Sequence, residues 1–145
     1  MTAPDPGDFD FIGAKAAFHC EGRLLTLQRE DLAWLPWPGM WDLPGGGREG
    51  RESPEDCLLR ELDEEFGLRL PADRLVYRRI WPAAAGGPRP GVFFAGRIFP
   101  EEIAAIRFGP EGQGWRMMPV ADFLSHPAAI PAMVARVRAA LPLPD

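Results

Sequence analysis

Residues 46–68, GGREGRESPEDCLLRELDEEFGL, contain the signals for a single well-delimited helix. Ser53 and Pro54, followed by two acidic residues, are typical of a helix start, with an N-cap, a proline in the first turn and negative charge at the positive end of the helix dipole. Gly67 supplies the stop at the other end. The stretch therefore predicts a helix between Ser53 and Gly67.

The two faces of this predicted helix differ in chemistry. The apolar face, which a helix packed on a sheet requires, carries Leu58, Leu59, Leu62 and Phe66. The other face carries three carboxylates within about 100° of arc, those of Glu61, Glu64 and Glu65. Carboxylates this close repel one another, and no run of lysines lies beside them, so a divalent cation is the natural compensation. Oxygen ligands favour Mg²⁺ or Mn²⁺ over zinc.

Two neighbouring features support an anion-handling site. Arg60 can orient an adjacent carboxylate through its fork of donors. The glycines Gly45, Gly46 and Gly47 predict a loop before the helix, where backbone amides can approach a phosphate closely.

The spacing of the whole segment is specific. It runs through Gly46, Glu52, Arg60-Glu61-Leu62, Glu64-Glu65 and Gly67-Leu68, a combination expected by chance on the order of 10⁻⁷ times in a chain this short. This spacing resembles the signature of the Nudix hydrolase family at every fixed position, and the preceding residues 41–46 are similar to that family's usual approach. One departure is Arg51, which stands where many relatives have glycine; we expect an altered loop and retained metal binding.

The resemblance implies a fold and a reaction. The order of strands and helices indicates an α/β or α+β class, and the resemblance implies an α/β/α sandwich with a mixed, partly antiparallel sheet between helices. The implied reaction is hydrolysis of a phosphoanhydride by water attack on phosphorus, with Mg²⁺ or Mn²⁺ as cofactor. The implied catalytic residues are Arg60, Glu61, Glu64 and Glu111, and the implied metal ligands are Glu52, Glu61, Glu64, Glu65 and Glu111. Which glutamate is the general base stays open.

Glu111 enters this set from a second stretch. Residues 109–115, GPEGQGW, predict a turn before a strand. They are similar to a Glu-Gly-Gln segment of MutT-like nucleoside triphosphate pyrophosphohydrolases, in which the glutamate reaches the metal site from a loop. The resemblance therefore implies that Glu111 is either a metal ligand or the base.

The substrate is less well defined by the sequence. MutT-like enzymes that act on oxidised guanine nucleotides carry an asparagine near the start of the last helix, and residues 126–131 contain none, so guanine specificity lacks that support. Arg29 and Arg89 are candidate phosphate contacts, with ordinary surface positions as the alternative. The candidate base-stacking rings, with core or loop anchoring as the alternative, are Trp34, Trp37 and Trp81.

The substrate classes left open are nucleoside triphosphates, ADP-ribose or nucleotide sugars, and dinucleoside polyphosphates. Two functions other than hydrolysis also stay open: that of a ligand-sensing domain and that of an isomerase acting on diphosphates.

Composition and charge limit the domain organisation, the partners and the location expected of the protein. The 145 residues are 46% hydrophobic, which suits one domain, residues 1–145, with flexible ends at 1–10 and 142–145. A net charge of −5 argues against a nucleic-acid polymer as partner. There is no long apolar run and no signal-like start, so we expect a cytoplasmic protein without membrane contact, either monomer or homodimer. Cys20 and Cys57 are expected to be reduced and buried.

Periodicity and turn residues predict the remaining elements. The predicted strands are residues 11–20, 23–29, 75–81, 92–99 and 115–118. The predicted helices, besides the acidic one, are residues 100–108 and 131–141. Residues 30–40 and 82–91 are predicted loops, broken by proline and glycine.

Overall fold

The computed structural model describes residues 9–145, which form a mixed seven-stranded sheet. The strands are β1 (Gly13–Cys20), β2 (Arg23–Gln28), β3 (Trp41–Asp42), β4 (Gly45–Gly47), β5 (Tyr77–Trp81), β6 (Gly91–Arg97) and β7 (Gly114–Pro119). The main order is β3-β2-β1-β6-β5, while β4 pairs with β1 and β7 with β2. Only the β1–β6 pair is parallel among these described strands. The predicted mixed, partly antiparallel sheet is confirmed.

Four α-helices accompany the sheet: α1 (Pro54–Phe66), α2 (Pro100–Ala104), α3 (Val120–Ser125) and α4 (Pro131–Ala140), and a short 3₁₀ turn spans Ala72–Arg74. The predicted limits of α1 are confirmed. The Ser53 hydroxyl accepts the Asp56 backbone N–H at 3.1 Å, and Gly67 adopts the left-handed conformation with φ 65°. Only glycine enters that conformation without steric cost, so the helix ends there.

The core lies in two layers, one on each face of the sheet. Leu58, Leu62 and Phe66 of α1 are fully buried on one face, as their periodicity predicts. Met133 and Val137 of α4 are buried on the other face. Each such side chain contributes roughly 1.5–3 kcal/mol of burial free energy. The predicted α/β/α sandwich is thereby confirmed.

The glycine segment before α1 differs from its prediction. It was predicted as a loop, but Gly45–Gly47 form strand β4, with Gly45 opposite Lys15 and Gly47 opposite Gly13. A Cβ on Gly45 would clash with the backbone oxygen of Ala14, so the close pairing requires glycine. Glycine is depleted from strands in general, and for that reason the sequence pattern points to a loop.

The helix predicted over residues 100–108 is shorter than expected. It ends at Ala104 because the following backbone turns toward the end of α1. The N–H of Arg107 donates to Phe66 O, and the N–H of Gly109 donates to Glu65 O, both at 2.8 Å. These bonds replace the continuation of the helix.

Three further features of residues 9–145 complete the fold. Cys20 and Cys57 are buried free thiols. Near the end of the chain, Leu143 packs against the α4 side of the core, and Pro144 O lies 2.7 Å from the Nε2 of His19. Among residues 9–145, none of the helices has the length and apolar character needed to cross a bilayer.

Candidate functional site

Four predicted site residues line one cavity of about 290 Å³, which we call the acidic cavity. Its lining residues are Glu61, Glu64, Glu65, Pro110 and Glu111. The first three project from one face of α1, and the last two belong to the loop before β7. The structure thus brings together carboxylates from two segments about 50 residues apart in the chain.

Backbone contacts place Glu111 opposite α1. Gly109 packs so tightly that an added Cβ would clash with Glu64 O. On the other side of the loop, the Gln113 backbone N–H donates to Gln28 O, and its side-chain amide donates to Arg29 O, each at 2.8 Å. The loop is therefore held between the end of α1 and strand β2.

Arg60 organises the rim of the acidic cavity. Its Nε and Nη2 donate to the two carboxylate oxygens of Glu52 at 2.7 and 3.0 Å. Its Nη1 donates to Glu61 at 3.0 Å and to Glu64 at 3.3 Å, while Nη2 also reaches Gly47 O at 2.8 Å. The predicted contact of Arg60 with neighbouring carboxylates is therefore present. Because Arg60 binds both of its oxygens, the pKa of Glu52 is lowered, and Glu52 does not line the cavity.

Glu65 is the most deeply buried carboxylate of the cavity. Burial raises the pKa of Glu65 to about 8, and the negative charges of Glu61 and Asp42 add to this effect. Lys15 and the Gly45 N–H, which donates to Glu65 Oε1 at 2.9 Å, oppose it only in part. Burial also raises the pKa of Glu61, against the opposing effect of Arg60. A nearby positive charge would therefore favour the ionised form of both carboxylates.

The donor set fits a hard divalent cation. Every side-chain donor of the acidic cavity is a carboxylate oxygen, which suits Mg²⁺ or Mn²⁺. Within residues 9–145, no three acidic, histidine or cysteine side chains converge closely enough to hold a metal ion as they stand. The side chain of Glu64 is 59% exposed, and exposed side chains change rotamer readily. The Glu64 carboxylate can therefore reorient toward a bound cation.

A larger cavity of about 410 Å³ lies on the other side of β4, and we call it the large cavity. Its charged lining residues are Lys15, Arg29, Asp42 and Arg136, and its walls include Ile12, Trp37, Ile130 and Met133. Gly46 lines this cavity, and a Cβ on Gly46 would lie only 2.6 Å from the Glu61 carboxyl carbon. The two cavities therefore adjoin at Gly46.

The predicted substrate-binding residues are distributed unevenly. Gly46, Gly47 and Arg29 line the large cavity. Gly45 does not line it, and its N–H donates to Glu65. Arg29 lies 3.3 Å from Asp42 and also donates to Pro36 O at 2.9 Å. Arg89 is exposed in the loop after β5 and lines neither cavity.

The three candidate stacking rings lie in different environments. Trp37 lines the large cavity. Trp34 is 77% exposed, and Trp81 packs against the α4 side of the core. Core anchoring, the alternative given for these rings, describes Trp81.

Sequence reasoning missed Lys15, Asp42 and Arg136. Lys15 donates to Asp42 at 2.9 Å and to Gly45 O at 3.0 Å, which joins β1 to the segment before α1. A detectable signal existed for Arg136, because it interrupts the apolar stripe of α4 that contains Met133 and Val137. A charged residue within such a stripe is unusual without a partner.

Comparison with known proteins shows the family of this chain. A family profile described as NUDIX domain matches residues 14–138. The chain is 44% identical over 56 residues to a MutT-like protein of Streptomyces ambofaciens, covering 39% of this chain and 32% of that protein. It is 42% identical over 102 residues to an RNA pyrophosphohydrolase of Gluconacetobacter diazotrophicus, covering 63% of this chain and 58% of that protein. The chain thus spans less than two thirds of the length of either relative.

Solved structures agree at the level of the fold. The NUDIX domain of Shewanella oneidensis NrtR, complexed with ADP ribose, matches with a TM-score of 0.64 and 23% identity. The match covers 95% of this chain and 94% of that one. The profile match over most of its length shows that the chain belongs to the Nudix family.

Proposed function

We propose that this protein is a pyrophosphohydrolase that cleaves a phosphoanhydride bond in a small nucleoside di- or triphosphate derivative, with Mg²⁺ or Mn²⁺ as cofactor. The observation that carries the proposal is the junction of the two cavities at Gly46. A cluster of four glutamates lies on one side, and a cavity large enough for a nucleoside lies on the other. A phosphate chain that crosses this junction has its reacting bond beside the carboxylates.

The residues that would hold the cation are Glu61, Glu64, Glu65 and Glu111, with Glu52 supporting them through Arg60. When bound, the cation would neutralise phosphate charge and lower the pKa of the attacking water. Glu61 and Glu65, whose pKa values are raised by burial, would be favoured in their ionised form beside it.

Arg60, Glu64 and Glu111 have different roles in the proposed reaction. Arg60 holds Glu61 and Glu64 in place and ties them to the backbone of Gly47. Glu64 and Glu111 are the more exposed carboxylates of the cavity, so they can reach a water molecule near the scissile bond. Either one can accept the proton of that water, and the two remain the candidates for the general base.

Similarity to named relatives supports the reaction class. One similar protein is called an RNA pyrophosphohydrolase, and another, of Mycobacterium tuberculosis, is called a putative 8-oxo-dGTP diphosphatase. A ligand-sensing role is the alternative, and the acidic cavity argues against it because a sensor does not need four glutamates lining one cavity. A net charge of −5 favours a small substrate over a polymer.

A substrate panel tests the proposal. Nucleoside triphosphates, ADP-ribose, a dinucleoside polyphosphate and a short RNA with a 5′-triphosphate are incubated with the protein and Mg²⁺ or Mn²⁺, and product release is measured. Glu64→Gln and Glu65→Gln are compared with Asp56→Asn, which changes an exposed acid on the same helix. We expect turnover of a small nucleotide that falls by at least about a hundredfold in both glutamate variants and persists in the control. Full activity in both glutamate variants contradicts the assignment.

A further inference from the structure

Arg136 is a buried cation that the proposed hydrolysis does not use. Its side chain extends from α4 into the large cavity, and the residue is only 4% exposed. Its Nη2 donates to Pro82 O at 2.9 Å, and its Nη1 lies against Gly91, 3.6 Å from the position of an added Cβ there. The guanidinium is therefore held in a defined place, at the start of β6.

The positive charge of Arg136 has no carboxylate partner among residues 9–145, and its guanidinium carbon lies 5.9 Å from the centroid of the Trp81 ring. None of the ion pairs among residues 9–145 includes Arg136. The nearest acid in its cavity is Asp42, whose carboxylate is already bound by Lys15 and Arg29. Burial accordingly lowers the pKa of Arg136. A buried charge that meets only a ring face and one carbonyl oxygen is costly, so a ligand group that accepts hydrogen bonds is the natural complement.

The geometry of the Arg136 guanidinium donors limits which ligand group can bind there. A guanidinium has five N–H donors and no acceptor, and Arg136 commits one donor to Pro82 O. A planar fork of this kind matches two adjacent acceptors in one plane. The surrounding walls are apolar, with Trp37, Ile130 and Met133 among them. A flat heteroaromatic ring fits such walls better than a hydrated phosphate does.

We propose that Arg136 determines base specificity by donating to two adjacent acceptors on the edge of a nucleobase, so that guanine is preferred over adenine. Guanine presents O6 and N7 as neighbouring acceptors, whereas adenine presents one acceptor beside an N6 donor. An adenine in the same position sets an N–H of the base against an N–H of Arg136, and that contact is unfavourable. This inference rests on the proposed function, since it assumes a nucleotide substrate.

Steady-state kinetics test the proposal directly. kcat/KM is measured for GTP, ATP and the deaza analogue of GTP that lacks the N7 acceptor, using the full chain with Mg²⁺. We expect GTP to exceed ATP by at least about tenfold, with the deaza analogue between them. Arg136→Met is expected to bring GTP down to the level of ATP. Arg136→Lys keeps the charge but loses the fork, so it is expected to lose most of the preference.

A matched control lies on the same helix. Arg138 is exposed and does not line the cavity, so Arg138→Met is expected to leave the GTP to ATP ratio unchanged. Thermal unfolding of each variant shows whether it folds. If Arg136→Met does not fold, Arg136→Lys decides. The base assignment is overturned if the wild type has equal kcat/KM for GTP and ATP and the Arg136 variants change both values alike. That outcome leaves the proposed hydrolysis intact.

Binding separates failure of this inference from failure of the hydrolytic function. Calorimetric titration of GMP and AMP into the wild-type protein and Arg136→Lys requires no turnover. If no nucleotide is hydrolysed but GMP binds at least about tenfold more tightly than AMP, in a manner that depends on Arg136, the specificity assignment is supported. If GMP and AMP bind the wild-type protein equally, or neither binds, the assignment is overturned.

Discussion

The backbone N–H of Gly45 donates to Oε1 of Glu65 across 2.9 Å, and this bond joins strand β4 to the carboxylate face of α1. Lys15 reinforces the same junction by donating to Gly45 O at 3.0 Å. The backbone around the glycines is therefore part of the acidic cavity's support. We therefore expect substitutions in β4 to displace the carboxylates of the acidic cavity more than they disturb the packing of the hydrophobic core.

Gly46→Ala is expected to reduce hydrolysis strongly with little loss of secondary structure. The added Cβ would lie 2.6 Å from the Glu61 carboxyl carbon, so that carboxylate must move. A displacement of this kind at a catalytic constellation can cost about a hundredfold in rate. Hydrolysis of the best panel nucleotide, together with circular dichroism, measures both quantities.

Gly114→Ala, in strand β7, is the control. No heavy atom lies within 4 Å of its Cβ, and Gly114 lines neither cavity. We expect activity within a few-fold of wild type. Equal loss in the two variants would contradict the geometric argument.

Arg60→Lys is expected to lower activity by roughly 10 to 100-fold, because a lysine cannot bind Glu52, Glu61 and the Gly47 carbonyl at the same time. The effect should appear as weaker Mg²⁺ activation, measured by titrating the metal at saturating substrate. Arg69→Lys provides the comparison, since Arg69 is 87% exposed and pairs with Asp63 on the surface. Unchanged metal dependence in Arg60→Lys contradicts the organising role of Arg60.

Metal-free protein should lose stability as pH rises through the range in which Glu65 ionises. The folded-state pKa of Glu65 is about 8, above its unfolded value, so the folded state binds more protons and the stabilisation present at low pH disappears by about pH 8. The expected loss is roughly 2–5 kcal/mol between about pH 5 and 9. Urea unfolding in chelator measures it.

Glu65→Gln should flatten that dependence, because its side chain does not titrate. A residual slope of the same sign is expected from Glu61, whose pKa is also raised by burial. Identical pH profiles for wild type and Glu65→Gln would refute the buried-carboxylate account.

Glu102 should contribute stability of the opposite pH dependence. Its two oxygens accept from Arg74 Nη1 and Nη2 at 2.8 Å each, and Oε1 also accepts the Phe99 N–H at 2.9 Å. These bonds lower the pKa of Glu102, with Arg74 as the main cause. The stabilisation is therefore present above the usual glutamate pKa and is lost as pH falls through the folded-state value.

Glu102→Gln is accordingly expected to cost about 1–2 kcal/mol at neutral pH, less in acid, and to leave hydrolysis unchanged. Urea unfolding at neutral and acidic pH measures the difference. Glu101→Gln, an exposed neighbour, is expected to change stability by less than about 0.5 kcal/mol. A cost for Glu102→Gln that grows on acidification would contradict the sign of the pKa shift.

Local patterns in the sequence predicted the features whose physics is local. The N-cap at Ser53, the stop at Gly67 and the division of α1 into apolar and acidic faces all follow from side-chain type and helical period. The five longer strands were predicted within two residues of their observed limits, because alternation and turn residues mark them. Strand β4 was missed, since three glycines carry no strand signal.

The sequence by itself determined the helix, its caps and the placing of three glutamates on one face, because residues one turn apart share a face wherever the helix lies. Only the tertiary structure decided that Glu111 lies across from α1, that β4 separates two adjoining cavities, and that Arg136 ends against Gly91 and Pro82. Those relationships depend on the pairing of β1 with β6 and on backbone contacts between distant segments. No periodicity within a single segment encodes such contacts.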